Sequence, residues 1–116
     1  MKRYVRANTG WIDNKDIYYD ENFDVTGEEF EDFWQEYLGE AEDKVNQELK
    51  IFPEPSGMGD FGSMFIYDES GEDRFETAEI DWYEWCENEL EMALKANSEK
   101  EYENLYRNYV KKVCGI

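Results

Sequence analysis

Carboxylates are the side chains of this sequence that could do chemistry, and in one segment they recur at helical spacing. Between Thr26 and Lys44 the chain has eight acids and one lysine. Carboxylates at this density repel one another, but they attract a surface rich in arginine and lysine. The first candidates for partner contact follow one another at intervals of four residues: Glu28, Asp32, Glu36 and Glu40.

A second set of candidate contact residues flanks that row or lies in a polar turn farther along the chain. The members of this set are Glu29, Asp43, Asp68, Glu69, Glu72 and Asp73. Glu31 and Glu42 also flank the row, and we place all the flanking acids off the apolar side of the helix. Trp82 or Trp85 could add an aromatic anchor, since tryptophan is enriched at interface hot spots, although core packing is expected for at least one of them.

The acidic row works against the helix that carries it. Like-charged pairs four residues apart each cost about 0.2–0.5 kcal/mol, so the three pairs of the row oppose the helix by about 1 kcal/mol. With Glu48, nine acids lie along a helix of about 33 Å, which is one per about 3.7 Å. One strand of DNA has a phosphate every 3.4 Å or so. These nine acids together therefore resemble a nucleic-acid strand in their linear charge density.

Enzymatic chemistry has little support in the residue types. The chain has no histidine and only two cysteines, Cys86 and Cys114. Conventional Ser-His or Cys-His pairs and Cys/His zinc sites are therefore excluded, and we expect no enzyme activity, no metal site and no cofactor. A small hydrolase that uses an Asp/Glu pair stays open as a third alternative, because carboxylates are plentiful.

Two segments imitate ligand-binding motifs. Residues 57–62 match G-x-G-x-x-G, but a strand is expected after them where a dinucleotide site needs a helix, so we interpret them as a connector. Asp68, Ser70, Glu72 and Glu79 imitate part of a calcium loop. Asp73 stands where that loop requires glycine, and we favour a hairpin turn over adventitious calcium binding.

Composition and charge limit the possible partners. The 116 residues, with 41% hydrophobic and 17% aromatic content, predict one folded domain over 1–116. The net charge is −18, and residues 16–91 hold 26 acids against three bases. Direct binding to nucleic acid or an anionic membrane is therefore disfavoured, and a basic protein is expected as the partner. A cytoplasmic location is expected, because no signal peptide or membrane span is indicated. The expected oligomeric state is a monomer or a small homo-oligomer.

Apolar periodicity predicts the element that positions the acidic row. A capping box, Thr26 with Glu29, opens a helix that runs to about Glu48. Its apolar residues fall at helical spacing and form one stripe. The stripe comprises Phe30, Phe33, Trp34, Tyr37, Leu38, Ala41, Val45 and Leu49.

The rest of the chain predicts a small α+β domain. Lys2–Ala7 is expected to be a strand. An irregular acidic segment, Asn8–Asp24, follows it, and parts of this segment are expected to pack or to pair as a hairpin around Asn14–Lys15. Pro53 and Pro55 are expected to end regular structure. A hairpin joins strands 63–67 and 74–80, and helices begin after Asp81 and Ser98. The order β-α-β-β-α-α predicts a short antiparallel sheet, made of the hairpin and the N-terminal strand, packed against three amphipathic helices.

In size, acidity and aromatic content the chain resembles the small acidic anti-defence proteins of phages and mobile elements, of the anti-CRISPR or antirestriction type. The resemblance covers the acidic middle, residues 16–91, and it is one of composition, without a diagnostic motif. It implies a DNA mimic that occupies the nucleic-acid site of a nuclease, with a CRISPR effector nuclease as the favoured target. The alternative is an acidic interaction module or adaptor whose basic partner is unrelated to nucleic acid.

Overall fold

The computed structural model of the protein describes residues 2–7, 11–12, 15–20, 34–55 and 61–116, with the backbone alone for 2–7 and 15–20. One π-helical turn, Trp34–Leu38, leads into helix α1. The elements in chain order are β1 (Lys2–Ala7), β2 (Lys15–Asp20), α1 (Gly39–Leu49), β3 (Ile51–Pro55), β4 (Phe61–Tyr67), β5 (Arg74–Asp81), α2 (Trp82–Lys95) and α3 (Glu99–Cys114).

The apolar stripe of the first helix is confirmed where the structure describes it. Leu38, Ala41 and Val45 are completely buried. The helix ends at Lys50, whose left-handed φ of 54° lets its amide N–H donate to the carbonyls of Asn46 and Gln47. The predicted capping box and the first part of the stripe, residues 26–33, lie outside the described residues.

The α+β class is confirmed, but the sheet has a different third strand from the one predicted. The hairpin forms as expected, and β4 pairs with β3 on one side and β5 on the other, all antiparallel. The N-terminal strand is not seen in this sheet. Lys2–Ala7 pairs instead with Lys15–Asp20 in a separate two-stranded antiparallel ribbon.

The prediction that Pro53 and Pro55 end regular structure is wrong. Both prolines lie within β3, opposite Met64 and Gly62 of β4. Among the described strands β3 is at the edge of its sheet. An edge strand accepts proline where the missing N–H would have pointed away from the neighbouring strand. The two prolines are therefore compatible with an edge strand, and they do not end β3.

Asp81 and Ser98 cap the two C-terminal helices as the sequence predicts. The Asp81 carboxylate accepts hydrogen bonds from the amides of Tyr83 and Glu84, at 3.0 and 3.2 Å. Ser98 Oγ accepts from the Glu101 amide at 3.1 Å. These caps replace intrahelical partners that the first amides lack, and they fix where α2 and α3 begin.

The three helices and the inner face of the sheet share one hydrophobic core. Helix α3 packs against both α1 and α2, so it closes the helical layer. The largest completely buried side chains come from every part of this arrangement: Ile12, Leu38, Met64, Trp85, Tyr102 and Tyr106.

Gly62 is required by the close approach of two strands. A Cβ atom at this position would lie 2.8 Å from the backbone carbonyl oxygen of Glu54 on β3. We expect Gly62→Ala to lower the free energy of unfolding by about 1–3 kcal/mol, because a strand must move to admit the methyl group. Urea denaturation measures this loss. Gly71→Asn is the control, since Gly71 has a φ of 75° and open space around it and asparagine tolerates that conformation. Equal losses in both variants would contradict the steric explanation.

Candidate acidic surface and a buried carboxyl pair

The helix acids predicted to contact a partner are exposed where the structure describes them. Glu36, Glu40 and Asp43 all lie on the solvent side. Glu28, Glu29 and Asp32 lie outside the described residues. Among the described residues no lysine or arginine comes within ion-pair distance of Glu40 or Asp43. In this part of the chain, both carboxylates are exposed and have no ion pair.

The neighbouring flank of α1, which faces α3, is neutralised within the protein. Lys44 Nζ lies 3.5 Å from a carboxylate oxygen of Glu103 and 3.8 Å from one of Glu99. On the next turn Arg107 of α3 donates to Glu48. The ion pairs join α1 to α3, and within the described residues Glu40, one turn before Lys44, and Asp43 have no such pair.

The turn acids divide into one structural residue and three exposed ones. Asp68 Oδ1 accepts hydrogen bonds from Ser70 Oγ at 2.7 Å and from the amides of Glu72 and Asp73 at 3.2 and 3.4 Å. The Ser70 hydrogen bond is the main reason why the pKa of Asp68 is lowered. Asp68 thus shapes the turn, whereas Glu69, Glu72 and Asp73 are exposed. In the described residues no three Asp, Glu, Cys or His side chains group as metal ligands do.

The two sets of acids are held at opposite ends of α1. The amide of Tyr67, the residue before the turn, donates to the carbonyl of Lys50 at the C-terminal end of the helix, at 2.9 Å. Glu40 lies about 15 Å away along the helix axis, at a rise of 1.5 Å per residue. The helix acids and the turn acids therefore form two separate patches, which are connected through α1 and β4.

A pair of buried glutamates is the feature that sequence reasoning missed. Glu42 of α1 and Glu89 of α2 are each only 2% exposed. The assignment of Glu42 to the solvent side is therefore wrong. The signal was present in the spacing, because Glu42 lies four residues after Leu38 and three before Val45, within the apolar stripe.

Glu42 is held by donors from three different elements. Tyr102 Oη of α3 donates to Oε1 of Glu42 at 3.1 Å, and Trp34 Nε1 donates to Oε2. Glu89 is hydrogen-bonded to Glu42 as well. A carboxylate with three donors is the usual condition under which a buried acid remains charged. Glu42 thereby connects all three helices.

Burial raises the pKa of both glutamates, and it affects Glu89 most. For Glu89 the desolvation by burial is followed by the charge of Glu42, and together they hold the pKa of Glu89 well above its ordinary 4.5. The pKa of Glu42 is also raised by burial, but its hydrogen bonds to Glu89, Trp34 and Tyr102 oppose the rise. The arrangement places the shared proton on Glu89, which donates to the Glu42 carboxylate.

The surroundings of the pair are apolar and aromatic. Burial raises the pKa of the thiol of Cys86, which sits one turn before Glu89. It also holds the pKa values of Tyr102 and Tyr106 well above their usual range, with the Glu42 charge as the next cause. The Cys86 thiol and the hydroxyls of Tyr102 and Tyr106 are therefore neutral at pH 7. The glutamate pair forms a buried polar contact among the helices.

The two tryptophans proposed as anchors have different positions. Trp85 is 2% exposed and packs against Tyr106 and Tyr109, so core packing is confirmed for it. Trp82 is half-buried and stacks on Trp85, with their ring centroids 6.4 Å apart. Only Trp82 keeps a surface that a partner could contact.

No protein-family model, curated protein or solved structure matches the chain. Within the part of the chain that the structure describes, none of the helices is long and apolar enough to cross a bilayer.

Proposed function

We propose that the chain is a non-enzymatic inhibitor that binds the basic nucleic-acid-binding groove of a nuclease or another DNA- or RNA-handling protein. The observation that carries the proposal is the exposed pair Glu40 and Asp43 on α1, which no base in the described residues neutralises. Carboxylates in this position attract the lysines and arginines of such a groove. A CRISPR effector nuclease is the target class that the compositional resemblance favours.

The rigidity of α1 is the second support for this proposal. Its inner side is fixed by Leu38, Ala41 and Val45, all fully buried, and its neutralised flank is tied to α3 by Lys44 and Arg107. The solvent side of α1 therefore presents Glu40 and Asp43 in a fixed arrangement, and binding to a basic groove would require little reordering of the helix.

The proposal is tested by competition with nucleic acid. The partner is captured at low salt, and DNA or RNA is then titrated against the complex. We expect the nucleic acid to displace the chain, and we expect the affinity to fall as salt rises, because the Debye length shrinks from about 10 Å at 0.1 M salt to about 3 Å at 1 M. Unchanged affinity across that range, or a partner that keeps its nucleic acid when the chain binds, would overturn mimicry.

Neutralising the exposed helix acids is expected to weaken the complex. For Glu40→Gln with Asp43→Asn we expect the affinity to fall about 3- to 10-fold, since exposed ion pairs contribute about 0.2–1 kcal/mol each. The measurement is the dissociation constant at fixed low salt. Glu99→Gln with Glu103→Gln is the matched control, because it removes the same charge from acids that face Lys44. An equal loss in the control would show that net charge alone matters.

An acidic interaction module unrelated to nucleic acid is the alternative function. Exposed phenylalanines on the sheet favour it, since Phe52 and Phe61 are 42% and 61% exposed and aromatic side chains are enriched at protein interfaces. The competition experiment separates the two functions, because an adaptor would bind its partner without releasing nucleic acid.

A further inference from the structure

The solvent-facing side of the three-stranded sheet carries aromatic rings interleaved with carboxylates. Alternate residues of β4 point outward, away from the buried Gly62 and Met64, and their cross-strand partners point the same way. We call this the outer sheet face. It comprises Phe52 and Glu54 of β3, Phe61, Ser63, Phe65 and Tyr67 of β4, and Arg74, Glu76, Glu79 and Asp81 of β5.

One arginine is already bound on the outer sheet face by a ring and a carboxylate together. The guanidinium carbon of Arg74 lies 4.2 Å from the centroid of the Phe65 ring. Its Nη1 donates to Oε2 of Glu54 at 2.7 Å. A guanidinium held in this way gains from both the ring face and the carboxylate. The protein itself thus shows which ligand this surface chemistry binds.

The same combination occurs a second time, on the other side of Ser63. Glu54 and Glu79 are the two cross-strand neighbours of Ser63, one on each adjoining strand. Phe65 and Phe61 lie two residues after and two residues before Ser63. Phe61 and Glu79 are therefore diagonal cross-strand neighbours, as Phe65 and Glu54 are, and at that spacing long side chains reach each other.

Within the part of the chain that the structure describes, the second combination has no internal cation. Arg74 is the one basic residue in β3, β4 and β5, and it is engaged with Phe65 and Glu54. Among the described residues no base pairs with Glu79, and Phe61 is 61% exposed. The ring and carboxylate are both open to solvent.

We infer that Phe61 and Glu79 form a docking site for an arginine side chain in a basic segment of a partner protein. Charge complementarity identifies the occupant, because the outer sheet face has four acids, Glu54, Glu76, Glu79 and Asp81, against Arg74 alone. A second copy of the chain, with its own charge of −18, is repelled. Arginine is preferred to lysine because a planar guanidinium stacks on an aromatic ring while it pairs with a carboxylate.

This inference is independent of the proposed function. It concerns the sheet, whereas the proposed function rests on α1, and its test requires no nuclease. The variant with Glu40→Gln and Asp43→Asn is expected to keep the arginine preference even where it loses competition with nucleic acid. A failure of either idea can therefore be told apart from a failure of the other.

The test uses two short peptides that differ only in the cation, one of alternating Arg and Gly and one of alternating Lys and Gly. Dissociation constants come from titration calorimetry, and NMR shifts of the Phe61 ring and the Glu79 side chain report the location. We expect the arginine peptide to bind about 2- to 5-fold more tightly, the range that an exposed cation–π contact of about 0.5–1 kcal/mol gives. Phe61→Leu is expected to abolish this preference while it leaves the affinity for the lysine peptide unchanged.

Three further variants complete the experiment. Glu79→Gln is expected to reduce the arginine preference, whereas Glu91→Gln, which removes the same charge from the exposed side of α2, is expected to keep it. Arg74→Ala frees the Phe65 and Glu54 pair and is expected to add a second site, seen as higher stoichiometry. An arginine preference that survives Phe61→Leu, or its absence in the unmodified chain, overturns the inference. So does self-association through Phe61 in analytical ultracentrifugation, because the occupant would then be a second copy.

Discussion

Replacing Glu42 is expected to destabilise the protein more than replacing any exposed carboxylate does. For Glu42→Gln we expect the free energy of unfolding to fall by about 1–3 kcal/mol, because a single amide oxygen replaces the carboxylate that serves three donors. For Glu42→Ala we expect a loss of about 3–5 kcal/mol, since the donors of Trp34 and Tyr102 lose their acceptor and a cavity forms among the helices. Against a typical stability of 5–15 kcal/mol or so, the second loss approaches unfolding.

The measurement is urea denaturation followed by circular dichroism, at a pH near neutrality. Asp43→Asn is the matched control, because it removes one negative charge from the adjacent residue, which is exposed. We expect the control to change stability by less than about 0.5 kcal/mol. If Glu42→Gln and Asp43→Asn behaved alike, the carboxylate of Glu42 would not be the acceptor that joins the helices.

Replacing Glu89 is expected to have the opposite effect at neutral pH. The pKa of Glu89 is well above 4.5 in the folded protein, through burial and the Glu42 charge, and it returns to about its ordinary value on unfolding. Below pH 4.5 Glu89 is protonated in both the folded and the unfolded state, so it does not lower the free energy of unfolding. As pH rises above 4.5 the unfolded state releases its proton first, so the stability falls by up to about 1.4 kcal/mol per pH unit until the folded-state pKa is passed.

Glu89→Gln removes this dependence while keeping a donor toward Glu42. The amide N–H₂ of glutamine can replace the carboxyl proton at every pH. We expect the variant to match the unmodified protein near pH 4 and to be more stable by at least about 1 kcal/mol at pH 7. Denaturation at a series of pH values measures the difference between the two curves.

Glu91→Gln on the exposed side of α2 provides the control for net charge. Glu91→Gln removes one charge from the acidic surface, whereas Glu89→Gln replaces a buried group that carries a proton. A gain in stability seen only in Glu89→Gln therefore does not come from relief of surface self-repulsion. Parallel pH profiles for Glu89→Gln and Glu91→Gln would show that Glu89 is not the proton-bearing member of a buried pair.

Much of the fold could be predicted because local chemistry and tertiary structure agree. The stripe through Leu38, Ala41 and Val45 is long and regular, and the caps at Asp81 and Ser98 are decided by neighbouring backbone groups. The third strand could not be predicted, since two prolines in five residues normally argue against a strand. Only the position of β3 at the edge of the sheet makes them acceptable, and that position depends on pairing with residues far along the chain.

For the candidate surfaces too, features that depend on packing between distant parts of the chain could not be predicted. Exposure of Glu40 and Asp43 follows from helical periodicity, but the pairing of Lys44 and Arg107 with acids of another helix depends on how α1 and α3 pack. The burial of Glu42 could not be predicted, because a glutamate is almost never fully buried unless it has partners, even at a position within an apolar stripe. Its burial becomes understandable only with Trp34, Tyr102 and Glu89 present, which come from three different parts of the chain.

The prolines of β3 also bear on how the protein behaves at high concentration. Pro53 and Pro55 are separated by one residue, so their backbone nitrogens point to the same side of the strand, away from β4. Neither nitrogen carries a hydrogen that could be donated there. A second chain that approached this edge would find two successive donors missing from the ladder. Side-by-side growth of sheets into aggregates is thereby blocked along this edge, which protects a protein whose outward phenylalanines would otherwise favour that growth.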